Sequence, residues 1–525
     1  ACLYQQTAKS KPNYQFVLDS LAAHPSKKKT SLDLQLNSLI IRHGEIKYDQ
    51  RDIAPSETFN VHHLHITDFS SHIILNRLTD HSIDLNIKKL FLHEGSGLNL
   101  KQLQFRLVAD QRHARIENFK MALPGTELAL GPLRLTYTTT AKTMNPSSLR
   151  YQGHILPSKV TLSDFSFLAL PLRKFVNPIF LSTTFKGTTS SLRIRELDLR
   201  AATGSLNLKA DAAFKGKGKQ LRWQARIDHL YLRRDGMQLL LDNMGAKLHI
   251  PRSVNRLGTI SFRGFLGGDA RRAFVNGTIS SEVGHAVLAV RKDGRDFTAR
   301  IKAQEVNLRR ILADNQFGIV TGYINASGNI PAKGIPELAA KGTIDRFDYK
   351  GYSYRNIIID GNIHHHTISG TGKINDQNIS LNVNGNFGIG QGKYNIKADI
   401  AKISPLILKK WTGITKNYTF RDIHIEAEKQ GRNSNLNITT PEIQAHLNGI
   451  YNYSTILQSA QQLLADKLPT LPGLKSVSGK RNNSFSFDVA VKGTDMIKKL
   501  FGIPLDLNTT TDIKGRISDF SKTAN

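Results

Sequence analysis

The chain alternates apolar and polar residues over most of its length, and at intervals it breaks the alternation by one residue. In "TIDRFDYKGYSYRNIIIDG" (Thr343–Gly361), Ile344 is followed by two polar residues, Asp345 and Arg346, before Phe347 and Tyr349. Tyr354 is likewise followed by Arg355 and Asn356 before Ile357 and Ile359. Successive side chains of a strand point to opposite faces, so one extra residue would turn every later apolar side chain outward. A β-bulge resolves the conflict. Two residues on one strand oppose one on its neighbour, the strand bends, and the apolar set returns to a common face. The competing reading is a tight turn between two short strands.

The step apolar-x-x-apolar-x-apolar occurs twelve times inside alternating runs. Besides the two copies above it stands at Leu36/Leu39/Ile41, Val61/Leu64/Ile66, Ile87/Leu90/Leu92, Leu100/Leu103/Phe105 and Ile116/Phe119/Met121. Further copies are Leu130/Leu133/Leu135, Leu162/Phe165/Phe167, Ile194/Leu197/Leu199, Ile227/Leu230/Leu232 and Phe420/Ile423/Ile425. A bend repeated strand after strand curls a long sheet into a trough. Plain strand signals fill the rest: "SLDLQLN" (Ser31–Asn37), "SIDLNIKKLFL" (Ser82–Leu92) and "NISLNVNGNF" (Asn378–Phe387). Gly, Asn or Asp separates such runs about every ten to fifteen residues, the rhythm of hairpins in an antiparallel meander.

Helical spacing is confined to Asn13–His24 and Ser454–Leu468, with single-turn candidates at Leu308–Ala313 and Asp495–Phe501. "ISPLILKKW" (Ile403–Trp411) is ambiguous. Such helices would cap or line the inside of the sheet. The expected organisation is a short helical segment over 1–30, a repetitive β-trough over 31–450, a helix over 451–475 and a continuation of the trough over 476–525. The expected fold class is mainly β: an elongated, repetitive antiparallel sheet curled into a trough, with a few short helices.

Charged residues make up 22% of the chain, too few for a disordered, charge-rich protein. A net charge of +30, from 72 Lys plus Arg against 42 Asp plus Glu, favours anionic partners. The bases are scattered, however, as on a solvated face, and the longest run is Lys27-Lys28-Lys29. With one cysteine, Cys2, no intrachain disulfide can form. No apolar run approaches the roughly 18 residues of a membrane span, and the N-terminus has no signal-like core. The chain also does not begin with Met, and it reads as a piece of a longer protein whose targeting and anchoring segments lie outside it.

Enzymatic motifs are absent. "GIGQGKY" (Gly388–Tyr394) lacks the spacing of a phosphate loop, His93-Glu94 lacks the second histidine of a zinc protease, and no G-x-S-x-G elbow occurs. His62, His63 and His65 cluster, as do His364–His366, but no cysteine or carboxylate constellation accompanies them, so they read as exposed strand residues. "KGKGKQLRW" (Lys215–Trp223) reads as a Gly-rich hairpin tip rather than a nucleic-acid-binding segment. The expectation is no enzyme, no cofactor, no metal and no nucleic acid. What remains is the apolar face, which few helices are available to cover. An open apolar trough is an aggregation hazard unless it carries apolar cargo. Its candidate lining is Ile344, Phe347, Tyr349, Tyr354, Ile357, Ile359, Ile379, Leu381 and Val383.

Three segments, "LDLQLNSLIIRHGEIKYD" (Leu32–Asp49), "GTIDRFDYKGYSYRNIIIDGNI" (Gly342–Ile363) and "GTGKINDQNISLNVNGNF" (Gly370–Phe387), resemble the repeats of the TamB and AsmA-like family of diderm bacteria. "YNYSTILQSAQQLLADKLPTLPG" followed by "FSFDVAVKGTDMIKKLFGIPLDL" resembles its Bacteroidetes branch. The likeness covers most of the chain and is one of texture, since these repeats carry no catalytic motif. It implies a monomeric periplasmic β-trough ("β-taco") of the translocation and assembly module, anchored in the inner membrane and reaching the outer one. Such bridges pass phospholipids along a hydrophobic groove. The family is also linked to outer-membrane protein assembly through an outer-membrane barrel partner of the TamA/BamA type. Its N-terminal anchor and C-terminal partner-binding domain are expected outside this sequence.

Three functions fit these observations. In a lipid conduit, acyl chains lie on the apolar face and headgroups meet Lys and Arg at an open seam. A scaffold or chaperone for outer-membrane protein assembly would pair its strand edges with client strands. An adhesin-like solenoid would have a fully packed interior and no groove.

Overall fold

The structure, a computed structural model, describes residues 2–5, 7, 10–13, 15, 33–140, 143–243, 252–331, 334–412, 415–453, 455, 456, 459, 483–501, 506, 507, 509–518, 523 and 524. They divide into two compact units, Ala1–Glu282 and Val283–Asn525. Each is built on an antiparallel meander, as the alternation and turn spacing predict.

In the first unit, strands Asp33–Gln50, His63–Thr79, Ile83–Glu94, Asn99–Ala109 and His113–Ala122 pair in sequence order. Two short strands, Glu127–Ala129 and Leu133–Thr136, bridge the last of these to Arg150–Val160. Strands Ile179–Thr188, Ser191–Ala201, Leu206–Lys215, Arg222–Leu232, Ile260–Gly268 and Arg272–Ser281 continue the sheet. The helix expected over 1–30 begins differently, because Cys2–Gln5 is a strand paired in parallel with Lys47–Gln50. Most of Asn13–His24, like most of Ser454–Leu468, lies outside the described residues.

The second unit runs from Gly284–Asp293 through Asp296–Asn307, Phe317–Asn329, Glu337–Tyr349, Tyr352–His364, Thr367–Asn375, Ile379–Gly388 and Lys393–Ile403. It continues through Phe420–Gln430, Asn433–Thr439, Ile443–Ile450, Ser484–Val491 and Thr511–Ser518. The two single-turn candidates are helices, Leu308–Leu312 and Asp495–Phe501. The ambiguous segment is also a helix, Pro405–Thr412, with proline at its first position, where no N–H is needed. A further helix, Arg234–Asn243, was not signalled by periodicity.

Most of the skipped beats are bulges. The ladders shift register at Leu36/Leu39, Ile87/Leu90, Ile194/Leu197 and Ile227/Leu230, and the copies in Asn99–Ala109 and His113–Ala122 coincide with shifts too. At Ile344/Phe347 the shift is against Phe317–Asn329, where Gly322 faces Ile344 and Thr321 faces Arg346. Against Tyr352–His364 there is none: Ile344 faces Ile357 and Arg346 faces Arg355, so the extra residues Asp345 and Asn356 sit opposite each other. The Phe420 copy repeats the device, with Ile400 facing Ile423 and Lys402 facing Arg421. Two copies follow the competing reading of a turn, and a third follows neither. Val61 lies in a turn, Gly131-Pro132 separates Leu130 from Leu133, and Leu162–Phe165 is a 3-10 helix.

In several bulges the second extra residue takes the left-handed conformation: Asn118 (φ 53°), Glu196 (φ 54°), Asn356 (φ 51°) and Asp422 (φ 50°). Its N–H leaves the ladder and needs another acceptor. The Glu196 N–H donates to Asp211 Oδ1 at 2.9 Å, and the Glu305 N–H at a similar site donates to Thr321 Oγ1 at 3.1 Å. Successive bulges stand at one level of neighbouring strands and form a crease across each sheet. On one side of it the apolar face is covered. In the first unit Met237 and Leu239 of Arg234–Asn243 pack on a core of Ala201, Leu206, Leu232 and Ile260. In the second unit Ile407 and Leu408 of Pro405–Thr412 pack on Tyr354, Ile357, Ile379, Ile400 and Ile403.

Candidate functional site

In the second unit the register carries one face, row by row, across many strands. At the crease Ile344, Ile357, Ile374, Leu381, Ile400 and Ile423 are successive cross-strand partners. The next row is Leu288, Ile301, Ile324, Gly342, Ile359, Gly372, Val383, Ala398 and Ile425. The row after that is small: Ala299, Ala326, Ala340, Gly361, Gly370 and Gly385, one from each of six consecutive strands. Large residues return in the row Phe297, Gly328, Leu338, Ile363, Ile368, Phe387 and Tyr394.

The result is a furrow floored by Ala and Gly between two rows of mostly bulky residues, broken by Gly342 and Gly372 on one side and Gly328 on the other. At about 4.8 Å per strand its six rungs span about 24 Å. A Cβ at Gly370 would lie 2.6 Å from the Asp360 carbonyl oxygen, and one at Gly385 2.5 Å from that of Asn395. The backbones therefore approach on this side more closely than side chains allow. A hollow of about 430 Å³ follows the furrow, lined by Ala340, Ile359, Gly361, Ile368, Val383, Phe387 and their neighbours. This part of the face is open: Ile301, Ile368 and Phe387 are 36%, 43% and 46% exposed.

The opposite face is polar, and several of its charges are paired across strands. Lys341 Nζ stands 2.8 Å from Asp360 Oδ2, Lys397 Nζ 2.7 Å from Glu426 Oε1, and Lys514 Nζ 2.8 Å from Asp488 Oδ2. The Glu426 partner raises the affinity of Lys397 for its proton, and Lys397 holds the Glu426 carboxyl below its ordinary range.

The structure distributes the nine candidate lining residues over four environments. Ile359 and Val383 line the open hollow. Ile344 and Leu381 stand at the crease, partly buried against the core. Tyr354, Ile357 and Ile379, at 5%, 9% and 0% exposure, pack beneath Pro405–Thr412; Ile357 and Ile379 form protein interior and do not line an open face, and Tyr354 reaches only the small cleft beside that helix. Trp411 Nε1 of that helix donates to Tyr354 Oη at 2.8 Å. Burial raises the Tyr354 phenol pKa above its ordinary value, against the opposing effect of that bond. Phe347 and Tyr349 stack with centroids 6.0 Å apart and border a separate cleft of about 370 Å³ with Lys350 and Trp411.

Asp348, between Phe347 and Tyr349 in sequence and on the other face of the strand, accepts from Arg346 Nη2 at 2.8 Å, Ser353 Oγ at 2.6 Å and the Ile319 N–H at 3.2 Å. Burial alone would raise its pKa, but these donors outweigh it and hold the carboxyl below its usual range. Sequence reasoning missed the helix residues Ile407, Leu408 and Trp411 and the small-residue furrow. The first had a signal in proline at a helix start. The second needed the strand register, which no single strand reveals.

The histidine clusters do not stand free. His63 is half-buried, with Nε2 2.7 Å from the Ile53 carbonyl oxygen and Nδ1 3.2 Å from Asp49 Oδ1. Glu337, His364 and His365, all exposed, bring one potential ligand atom each to within 4.8 Å of one another. Comparison of the chain with family models, with curated proteins and with solved structures returned no match.

Proposed function

We propose that the chain is a segment of a periplasm-spanning bridge that carries phospholipids along an apolar groove between the inner and outer membranes, with acyl chains lying on the open face beyond the crease. The observation that carries this reading is the Ala/Gly furrow, sunk between rows of mostly bulky apolar residues and left uncovered. Its span of about 24 Å accommodates one acyl chain, since half of a hydrocarbon core of about 30 Å is about 15 Å. A chain of about 16 carbons shielded on one side recovers about half of ~0.8 kcal/mol per CH₂, or about 6 kcal/mol. That corresponds to a dissociation constant on the order of 10⁻⁵ to 10⁻⁴ M before ordering costs. A conduit needs this range, because cargo must be held and also released.

The test is photo-crosslinking from three positions in cells. Ile368 and Val383 face the furrow, whereas Ile358, which is 50% exposed, lies on the opposite face. Phospholipid adducts from the first two and none from Ile358 are expected. Equal lipid labelling at all three, or protein adducts alone, would overturn the proposal. Val383→Glu should lower lipid transfer at least tenfold with the fold intact.

A further inference from the structure

The polar face of the first unit differs from that of the second in one respect. Six consecutive strands each lend one cation to a single hollow on it: Arg134, Arg150, Lys186, Arg193, Lys215 and Arg222. All six are exposed, and all six line a hollow of about 800 Å³ that has no Asp or Glu in its wall. Two of the cross-strand partnerships set cation against cation, Lys186 against Arg193 and Lys215 against Arg222. Like charges directly opposite in a ladder are destabilising. Other cations of the sheets stand beside a carboxylate, as at Lys341–Asp360 (2.8 Å), at Arg226–Asp211 (2.8 Å) on this same face, and at Arg346–Asp348 (2.8 Å), where Arg346 also faces Arg355. Among the described residues none of the six has such a partner.

We infer that this hollow binds a ligand carrying two or more phosphate groups. Four of the six cations are arginines, whose guanidinium fork takes oxyanions in bidentate fashion. A phosphate ester with a charge of about −1.5 to −2 neutralises more of the cluster per group than a carboxylate does. The six stand in two neighbouring rows, Arg134, Lys186 and Arg193 in one and Arg150, Lys215 and Arg222 in the other, and their spread over about 24 Å suits several phosphates better than one. The phosphates belong either to a soluble molecule or to lipid headgroups, which the chemistry of the hollow recognises alike. This site does not depend on what occupies the apolar face of the other unit, and the crosslinks above can fail without affecting it.

The experiment compares the full chain with K186Q/R193Q/K215Q/R222Q and with a control that removes Lys302, Lys373, Arg421 and Arg516. Wild type should bind vesicles containing phosphatidic acid at least tenfold tighter than phosphatidylcholine vesicles. The quadruple variant should lose at least tenfold of that binding, and the control less than threefold. Pyrophosphate that raises the wild-type Tm by several degrees, and leaves the variant unmoved, identifies a soluble phosphate ligand. No response to pyrophosphate, with vesicle binding retained, identifies headgroups. Relief of repulsion should leave the unliganded variant at least as stable as wild type. The double variant K186Q/R193Q, with about half the effect, covers any loss of folding in the quadruple one. Phosphate or vesicle binding by the variant equal to wild type, a loss no greater than the control's, or tighter binding of a single-stranded oligonucleotide than of the vesicles would each overturn the inference.

Discussion

Replacing Ile379 by Ala should cost far more than the same change eleven residues earlier on the same face. Ile379 has no exposure to solvent and is enclosed by Tyr354, Ile357, Ile400, Ile403 and the helix residues Ile407 and Leu408. The substitution removes three carbons, a transfer loss of about 2.4 kcal/mol, and the cavity between sheet and helix brings the total to about 3–4 kcal/mol. Ile368→Ala removes the same three carbons from a site 43% exposed to water. It leaves no cavity and should cost about 1 kcal/mol. The assay is urea unfolding followed by Trp411 emission in a Trp223→Phe background, since the chain has two tryptophans and Trp411 sits on the capping helix beside Tyr354. The gap of about 2–3 kcal/mol measures how closed one side of the crease is and how open the other. Equal losses for the two variants would refute the division of the apolar face into a sealed and an open part.

Asn356→Val, which places a β-branched residue at φ 51° in the bulge, should cost about 1–2 kcal/mol, whereas Asn356→Gly should be nearly neutral by denaturation midpoint. Asp348 is held below its ordinary range by Arg346, Ser353 and the Ile319 N–H, so its contribution is full above the unfolded value of about 3.9 and is lost as pH falls through the lower folded value. The acid limb of the stability profile should therefore be shallower in Asp348→Asn than in wild type. Burial pushes the Tyr451 phenol pKa up to about 12, against the opposing effect of Tyr453. The folded chain therefore resists ionisation there, stability falls as pH rises from the unfolded value of about 10 towards 12, and Tyr451→Phe should flatten the loss measured above pH 10.

The strands were legible because alternation needs only local sequence, and "NISLNVNGNF" became Ile379–Gly388 almost residue for residue. The bulges were legible in kind and not in every instance. Ile194-Arg195-Glu196-Leu197 and Leu130-Gly131-Pro132-Leu133 share a spacing, yet the first bends a strand and the second ends one, because proline offers no N–H to a ladder. A second signal went unused: Asn or Asp often fills the left-handed place, as at Asn118, Asn356 and Asp422. The lining was less legible. Tyr354, Ile357 and Ile379 have the right phase for an open face, but whether a helix covers them depends on Pro405–Thr412, which lies beyond the strands it seals. The furrow depended on Ala299 and Gly385 meeting through four intervening strands, a relation set by register alone.

The matched extra residues Asp345 and Asn356 constrain how a chain of this kind can change length. Losing one of them would slide its strand by a position against the other and exchange inside for outside along the remainder. Losing both keeps Glu337–Tyr349 and Tyr352–His364 aligned and moves the mismatch to the Phe317–Asn329 border, where Thr321 and Gly322 already absorb one. Single-residue gaps among descendants of this sequence should then come in hairpin-linked couples. The unit of inheritance here is the hairpin, and a lone deletion in one arm is the change that selection removes first.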